Sequence, residues 1–215
     1  MKYRNYIFDQ GNVILDINPQ LSLDALAALL PEELDDAVIT PADLLGGAVG
    51  SLVGEFQVGN ISTDSFLDSL LPSMRQGVTR KQLLDAWNAL ILDVPQQRRD
   101  ALLRLRASGA RTYMLSNTND AHMERIYEKC FGGSRDNMLV YFDDLFLSNE
   151  MHLAKPDPAI FNELIRRTGI NPTDSIFVDD LQKNLDTASA LGFDTLLSTG
   201  DFWLGKLMVS SINSF

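Results

Sequence analysis

Tyr6-Ile7-Phe8-Asp9-Gln10-Gly11-Asn12-Val13 decides the fold. An apolar run enters a carboxylate and then a Gly-Asn turn, so the stretch reads as a strand (about Tyr6 to Phe8) with a polar group at its C-terminal end. Three later stretches carry comparable polar groups: Tyr113-Met114-Leu115-Ser116-Asn117, Ala154-Lys155-Pro156-Asp157 and Ile176-Phe177-Val178-Asp179-Asp180. Between them strand and helix patterns alternate. Helices are expected over about 97–107, 121–129 and 184–191, and strands over 112–115, 144–147, 175–178 and 195–197. Asp157 can cap a helix with Pro158 at its first position, Phe161, Leu164 and Ile165 on its apolar face and Gly169 at its stop. Such alternation predicts an α/β fold with a parallel, doubly wound, Rossmann-like sheet flanked by helices. Ligands of such sheets sit beyond the carboxyl ends of the strands, where Asp9, Ser116 and Asp179-Asp180 all fall.

After the first strand the pattern changes for some 75 residues. Leu21, Leu23, Leu26, Leu29 and Leu30 recur at helical spacing, as do Phe66, Leu67, Leu70 and Leu71. Thr79 followed by Gln82 predicts a capping box for a helix through Leu83, Trp87 and Leu90. Gly46-Gly47, Gly50, Gly54, Gly59 and Pro72-Ser73 read as turns or loops. No strand is expected here, so residues 17–92 read as a small helical insertion between two parts of one core, 1–16 and 93–215.

The 215 residues suffice for one packed domain plus that insertion. No apolar run approaches the roughly 20 residues that cross a bilayer, and the N-terminus has no signal-peptide pattern, which points to a cytoplasmic protein without membrane contact. Cys130 is the single cysteine, which excludes an internal disulfide. A net charge of −11 argues against nucleic-acid binding and also repels anionic substrates at long range. Any phosphate site must therefore be positive locally, through a metal, a lysine or backbone N–H groups.

Asp9 either caps a turn or attacks phosphorus as a covalent nucleophile; the other three segments favour the nucleophile. Asp179 and Asp180 are either a solvated loop with a helix cap or an acidic pair around a cation, and a hard, oxygen-seeking ion such as Mg²⁺ suits them. Lys155 can neutralise a phosphoryl group. Ser116 can hydrogen-bond a phosphate oxygen through its hydroxyl and Asn117 through its backbone N–H, although a Ser-Asn pair by itself makes a turn. His122 and His152 lack metal-ligand spacing to each other or to Cys130, and read as satisfied or solvated side chains. Met114, Met123, Met138, Met151 and Met208 read as core filler. Arg98-Arg99 and Arg166-Arg167 read as solvated helix faces, while Phe202 and Trp203 fit either the core or an interface.

Taken together, the four stretches resemble the four motifs of haloacid dehalogenase-like (HAD) hydrolases. More narrowly, Leu-Ser-Asn-Thr-Asn, Lys-Pro-Asp-Pro-x-Ile-Phe and Asp-Asp-x-x-x-Asn are similar to the sugar-phosphatase-like branch near α-D-glucose-1-phosphatase. The resemblance spans essentially the whole chain and implies a Rossmann-like core with a helical cap. It implies Asp9 as nucleophile, Ser116 and Asn117 as phosphate clamp and Lys155 as charge neutraliser. It implies Mg²⁺ held by Asp9, the Gly11 carbonyl and Asp180, with Asp179 behind them and Asn184 supporting the loop. Most HAD phosphatases carry a second Asp, the general acid, where this chain has Gly11. The branch resembled here also has Gly there; Asp16 is a nearby alternative acid, more in keeping with a structural role. The implied activity is Mg²⁺-dependent hydrolysis of a small phosphorylated metabolite, a sugar phosphate being one candidate. A metal-independent dehalogenase and a non-catalytic phospho-ligand or partner-binding protein are the alternatives. Glu55, Gln57 and Asn60, in a presumed loop over 54–60, are candidate specificity residues. Oligomeric state is not written in these patterns.

Overall fold

The computed structural model describes residues 2–31 and 47–208. Its strands are β1 (Asn5–Phe8), β2 (Arg111–Ser116), β3 (Asp144–Leu147), β4 (Ser175–Asp179) and β5 (Asp194–Leu197). They form one parallel sheet in the order β3-β2-β1-β4-β5. The first strand is thus central: Phe8 faces Met114 of β2 on one side and Val178 of β4 on the other. The order reverses beside β1, which opens a crevice at its carboxyl end.

Side chains alternate across the sheet, and both faces are dry. Tyr6, Phe8, Met114, Val178 and Trp203 pack on one face, and Ile7, Leu115, Phe146, Phe161 and Phe177 on the other. Helices α5 (Gln96–Ala107) and α6 (Asp120–Cys130) contribute Leu102, Leu105 and Ile126 to the first layer. Helices α9 (Pro158–Thr168) and α10 (Gln182–Ala190) contribute Phe161, Leu164 and Leu185 to the second. The α9 boundaries follow the sequence signals: Asp157 accepts from the Ala159 N–H at 2.8 Å, and Gly169 ends the helix with φ 65°.

Helices α1 (Pro19–Ala27), α2 (Gly47–Gln57), α3 (Thr63–Leu70) and α4 (Arg80–Asn88) share a separate apolar cluster. Leu26, Phe56, Phe66, Leu83 and Trp87 are its buried members, with Phe56 and Phe66 stacked at 4.4 Å between ring centroids. The capping box forms as expected, Thr79 and Gln82 satisfying each other's backbone N–H groups. The chain leaves and rejoins the sheet through a short antiparallel neck. Asp16 N–H donates to the Asp93 carbonyl (2.9 Å), Leu92 N–H to the Asp16 carbonyl (3.1 Å) and Asn18 N–H to the Leu90 carbonyl (2.9 Å). Short helices α7 (Arg135–Met138), α8 (Ser148–Met151) and α11 (Phe202–Leu207), with single 3-10 turns at Leu71–Ser73 and Pro172–Asp174, complete the described elements.

Several expectations are corrected. Gly47, Gly50 and Gly54 are not turn residues: they lie within α2, where neighbouring apolar residues override the cost of glycine in a helix. Glu55 and Gln57 are therefore helical rather than in a loop. Gly46 lies outside the described residues. Arg98 is not a solvated side chain but is buried, making ion pairs with Asp16 and Asp201 at 2.8 Å each and donating to the Ile14 carbonyl. Arg99 is largely buried too, donating to the Cys130 carbonyl at 2.8 Å. Trp203 belongs to the core, its indole N–H donating to the Val13 carbonyl at 3.1 Å, whereas Phe202 is exposed.

Candidate active site

Asp9 emerges from the central strand, and its N–H still donates to the Val178 carbonyl at 2.8 Å, so backbone pairing fixes where the carboxylate begins. The chain then folds back on itself: Leu15 N–H reaches the Gln10 carbonyl and Asn12 N–H the Leu15 carbonyl, each at 2.8 Å. Asn12 has φ 55°, a conformation that asparagine tolerates better than most residues. That turn directs the Asn12 amide to Asp180, whose Oδ2 accepts from Nδ2 at 3.1 Å.

Lys155 is the hub. Its Nζ donates to Asp9 Oδ1 at 2.6 Å and to Asp179 Oδ2 at 2.7 Å, with 2% of the lysine side chain exposed. The lysine is itself held by Asn117: the Asn117 amide donates to the Lys155 carbonyl and accepts from its N–H, both at 2.8 Å. Asp179 is fully buried. Its Oδ1 accepts from the Leu181 N–H at 2.8 Å and the Asn184 amide at 2.9 Å, and its Oδ2 from that amide at 3.1 Å besides Lys155. Both oxygens are thus committed to protein donors, whereas Asp180 lies at the edge of the cavity.

Burial pushes the Asp9 carboxyl up to about 6; Lys155 opposes this and the Asp179 charge adds to it. Burial alone would lower Lys155, but Asp9 and Asp179 outweigh it and hold the ammonium above its usual value. Carboxylate oxygens of Asp9, Asp179 and Asp180 lie within 4.8 Å of one another. Three acids against one lysine leave an excess of negative charge in a partly buried crevice. An all-oxygen donor set of that charge fits a hard divalent cation such as Mg²⁺.

Asp9, Gly11, Ser116, Asn117, Lys155 and Asp180 line a cavity of about 390 Å³ at the carboxyl ends of β1, β2 and β4, and Asp179 meets them through Lys155. Of the candidate specificity residues Gln57 lines it, whereas Glu55 and Asn60 do not, the Asn60 amide donating to Glu55 at 2.8 Å. Ser116 is buried, and its Oγ donates to Gln10 Oε1 at 3.3 Å. Asp16 is drawn away by Arg98, consistent with a structural role. His152 is exposed, its Nδ1 2.8 Å from the Val58 carbonyl.

His122, Ile17 and Lys183 also line the cavity and carry no motif signal. His122 stacks on Trp87 with centroids 5.2 Å apart, Nδ1 3.1 Å from the Asn119 amide and Nε2 3.4 Å from the Trp87 carbonyl. One neutral tautomer satisfies both contacts, and burial lowers its pKa to about 4. Asn12 could have been found through the backbone it serves, since an Asn after Gly suits a left-handed turn.

The chain is similar to known proteins over most of its length. A D-ribitol-5-phosphate phosphatase of Bacteroides thetaiotaomicron is 30% identical over 207 residues, covering 96% of this chain and 97% of the relative. A sesquiterpene phosphatase of Aspergillus oryzae is 24% identical over 200 residues, 88% of this chain and 87% of the relative. A HAD family enzyme of Bacteroides thetaiotaomicron, solved in complex with magnesium and inorganic phosphate, superposes with a TM-score of 0.82 at 28% identity, covering 95% of this chain and 99% of that one. The family model for hydrolases of the haloacid dehalogenase-like type matches residues 3–192. With the β1 carboxylate, the lysine hub and the acidic pair in one crevice, the chain belongs to the haloacid dehalogenase-like hydrolase family.

Proposed function

We propose that this protein is a Mg²⁺-dependent phosphomonoesterase that works through an aspartyl-phosphate on Asp9. The observation that carries the reading is the Lys155 bridge from Asp9 to Asp179, with Asp180 completing an oxygen-only acidic cluster beside it. An oxygen of Asp9 attacks phosphorus as the bond to the substrate's ester oxygen breaks. Water then attacks the aspartyl-phosphate, releasing inorganic phosphate and restoring the carboxylate. Lys155 keeps Asp9 oriented and offsets phosphoryl charge; the Ser116 hydroxyl and Asn117 N–H hold non-bridging oxygens. Asp9, the Gly11 carbonyl and Asp180 would hold Mg²⁺, which would supply charge neutralisation at the phosphoryl group. Asp179, with both oxygens already taken, positions Lys155 and stands behind the ligands.

Gly11 supplies no proton, so the ester oxygen departs as an anion and is protonated by solvent. Residues 17–92 act as a cap over the crevice, a reading supported by the neck at Asp16–Leu92 and by the separate apolar cluster of their helices. The dehalogenase alternative is weakened by the acidic cluster, for which a metal-free reaction has no use.

Phosphate release from a panel of small phosphomonoesters, with Mg²⁺ and with EDTA, tests the proposal. Release that EDTA abolishes and Mg²⁺ restores is expected. Metal-bound protein that releases none would favour the binding protein, and halide release from a 2-haloacid without metal would favour the dehalogenase.

A further inference from the structure

Behind the phosphate cavity lies a second, larger one of about 870 Å³. The two share walls at Ile17, Gln57, Leu90, Asn117, Thr118 and His122, so a molecule whose phosphate sat at Lys155 would have this chamber open to its alcohol portion. The far walls come from the helical insertion: Leu23, Leu26, Val53, Leu70, Met74 and Trp87. Among the described residues no Asp, Glu, Lys or Arg lines it.

Most polar side chains on its walls are already engaged. Ser22 donates to the Trp87 carbonyl at 2.7 Å and accepts from Leu90 N–H at 3.0 Å. Asn18 caps α1, the Gln20 amide donates to Asp24, Asn117 holds the Lys155 backbone, Asn119 serves the backbone and ring of His122, and His122 is neutral with both ring nitrogens in contact. Gln57, Ser73 and Thr118 remain to serve an isolated polar atom. A polyol places a hydroxyl on every carbon, and each one buried without a partner costs affinity. Apolar carbons gain it.

We propose that the substrate carries an apolar alcohol portion, aryl or branched-chain and of about ten carbons or more, seated in this chamber. The inference rests on the phosphatase reading and deepens it: the site selects a hydrophobic phosphomonoester over a sugar or polyol phosphate. Ile17 stands at the junction, where it meets the alcohol carbon nearest the ester oxygen. The missing acid at Gly11 favours the same class, because a phenol leaves without a proton more readily than a primary alcohol.

A series of para-n-alkylphenyl phosphates, methyl to pentyl, holds leaving-group acidity nearly constant while apolar bulk grows. kcat/KM is expected to rise about threefold per methylene, and pentyl phosphate is expected to exceed ribitol 5-phosphate at least tenfold. In Val53→Trp, which narrows the chamber, the methyl-to-pentyl gain is expected to shrink about tenfold. A flat series, or preference for ribitol 5-phosphate over pentyl phosphate, would overturn the proposal and leave the phosphatase reading standing. Should no phosphomonoester turn over, 4-pentylphenol titrated against tryptophan fluorescence decides: a change lost in Trp87→Phe upholds the apolar site while the phosphatase reading fails. Absence of that change sinks the apolar site as well.

Discussion

The Ile17 side chain occupies the space that a side chain on Gly11 would enter: a Cβ on Gly11 would lie 3.0 Å from Ile17 Cδ1. The residue that lacks the acid and the residue that fills its place are thus a matched pair. Gly11→Asp alone is expected to express at lower stability, whereas Gly11→Asp with Ile17→Val gives the new carboxyl room. General acid catalysis is worth about a hundred- to ten-thousand-fold. The double variant should therefore raise turnover of plain alkyl phosphates at least tenfold and flatten the dependence of kcat/KM on leaving-group acidity. Measuring that slope in wild type and in both variants checks the idea; a flat wild-type slope would mean an acid is already present.

Asp9→Asn is expected to lower kcat by several orders of magnitude while circular dichroism and melting temperature stay near wild type. The asparagine keeps the shape of Asp9 and can still face Lys155. Trapping of phosphate on the protein under rapid quench is expected with wild type and should be absent from the variant. Retention of more than a few per cent of activity would place the nucleophile elsewhere.

The two neighbouring acids should separate by assay. Asp180→Ala is expected to weaken Mg²⁺ binding in calorimetry more than Asp179→Ala. Asp179→Ala should instead cost more stability, about 3 kcal/mol or more, because it removes the partner of a buried lysine and strands the Asn184 amide and Leu181 N–H. Equal losses of metal affinity in the two variants would show that Asp179 is a direct ligand.

His122 predicts a pH dependence of stability. Its folded pKa of about 4 lies below the unfolded value near 6.5, so the unfolded chain binds the proton more readily between them. The neutral ring's contribution is fully present above about pH 6.5 and is lost as pH falls toward 4. With the ring partly facing the cavity, the loss is on the order of 2 kcal/mol. Urea titrations at pH 7 and pH 4.5 should show this difference shrinking in His122→Phe; an unchanged difference would assign it to other groups.

Much of this was legible in the chain. Strand ends marked by Asp9, Ser116 and Asp179, and helix stops such as Gly169, are local signals, and local physics suffices for them. Arg98-Arg99 misled because composition cannot tell a solvated arginine from one that meets Asp16 and Asp201 from distant segments. The glycines of α2 misled for the converse reason, since packing against Phe66 and Trp87 overrides a poor helix propensity. His122 enters the site through the stacking of α6 on α4, a tertiary contact with no motif.

The neck between Asp16 and Leu92 has a consequence for how such a molecule changes over time. Where two ends of a segment are hydrogen-bonded neighbours, the segment can be lengthened, swapped or shortened while the register of the sheet stays the same, because loop closure depends only weakly on length. Chemistry anchored at Asp9 and selectivity lodged in the helices beyond Ile17 can then vary as separate inheritances, a new substrate demanding no new catalyst.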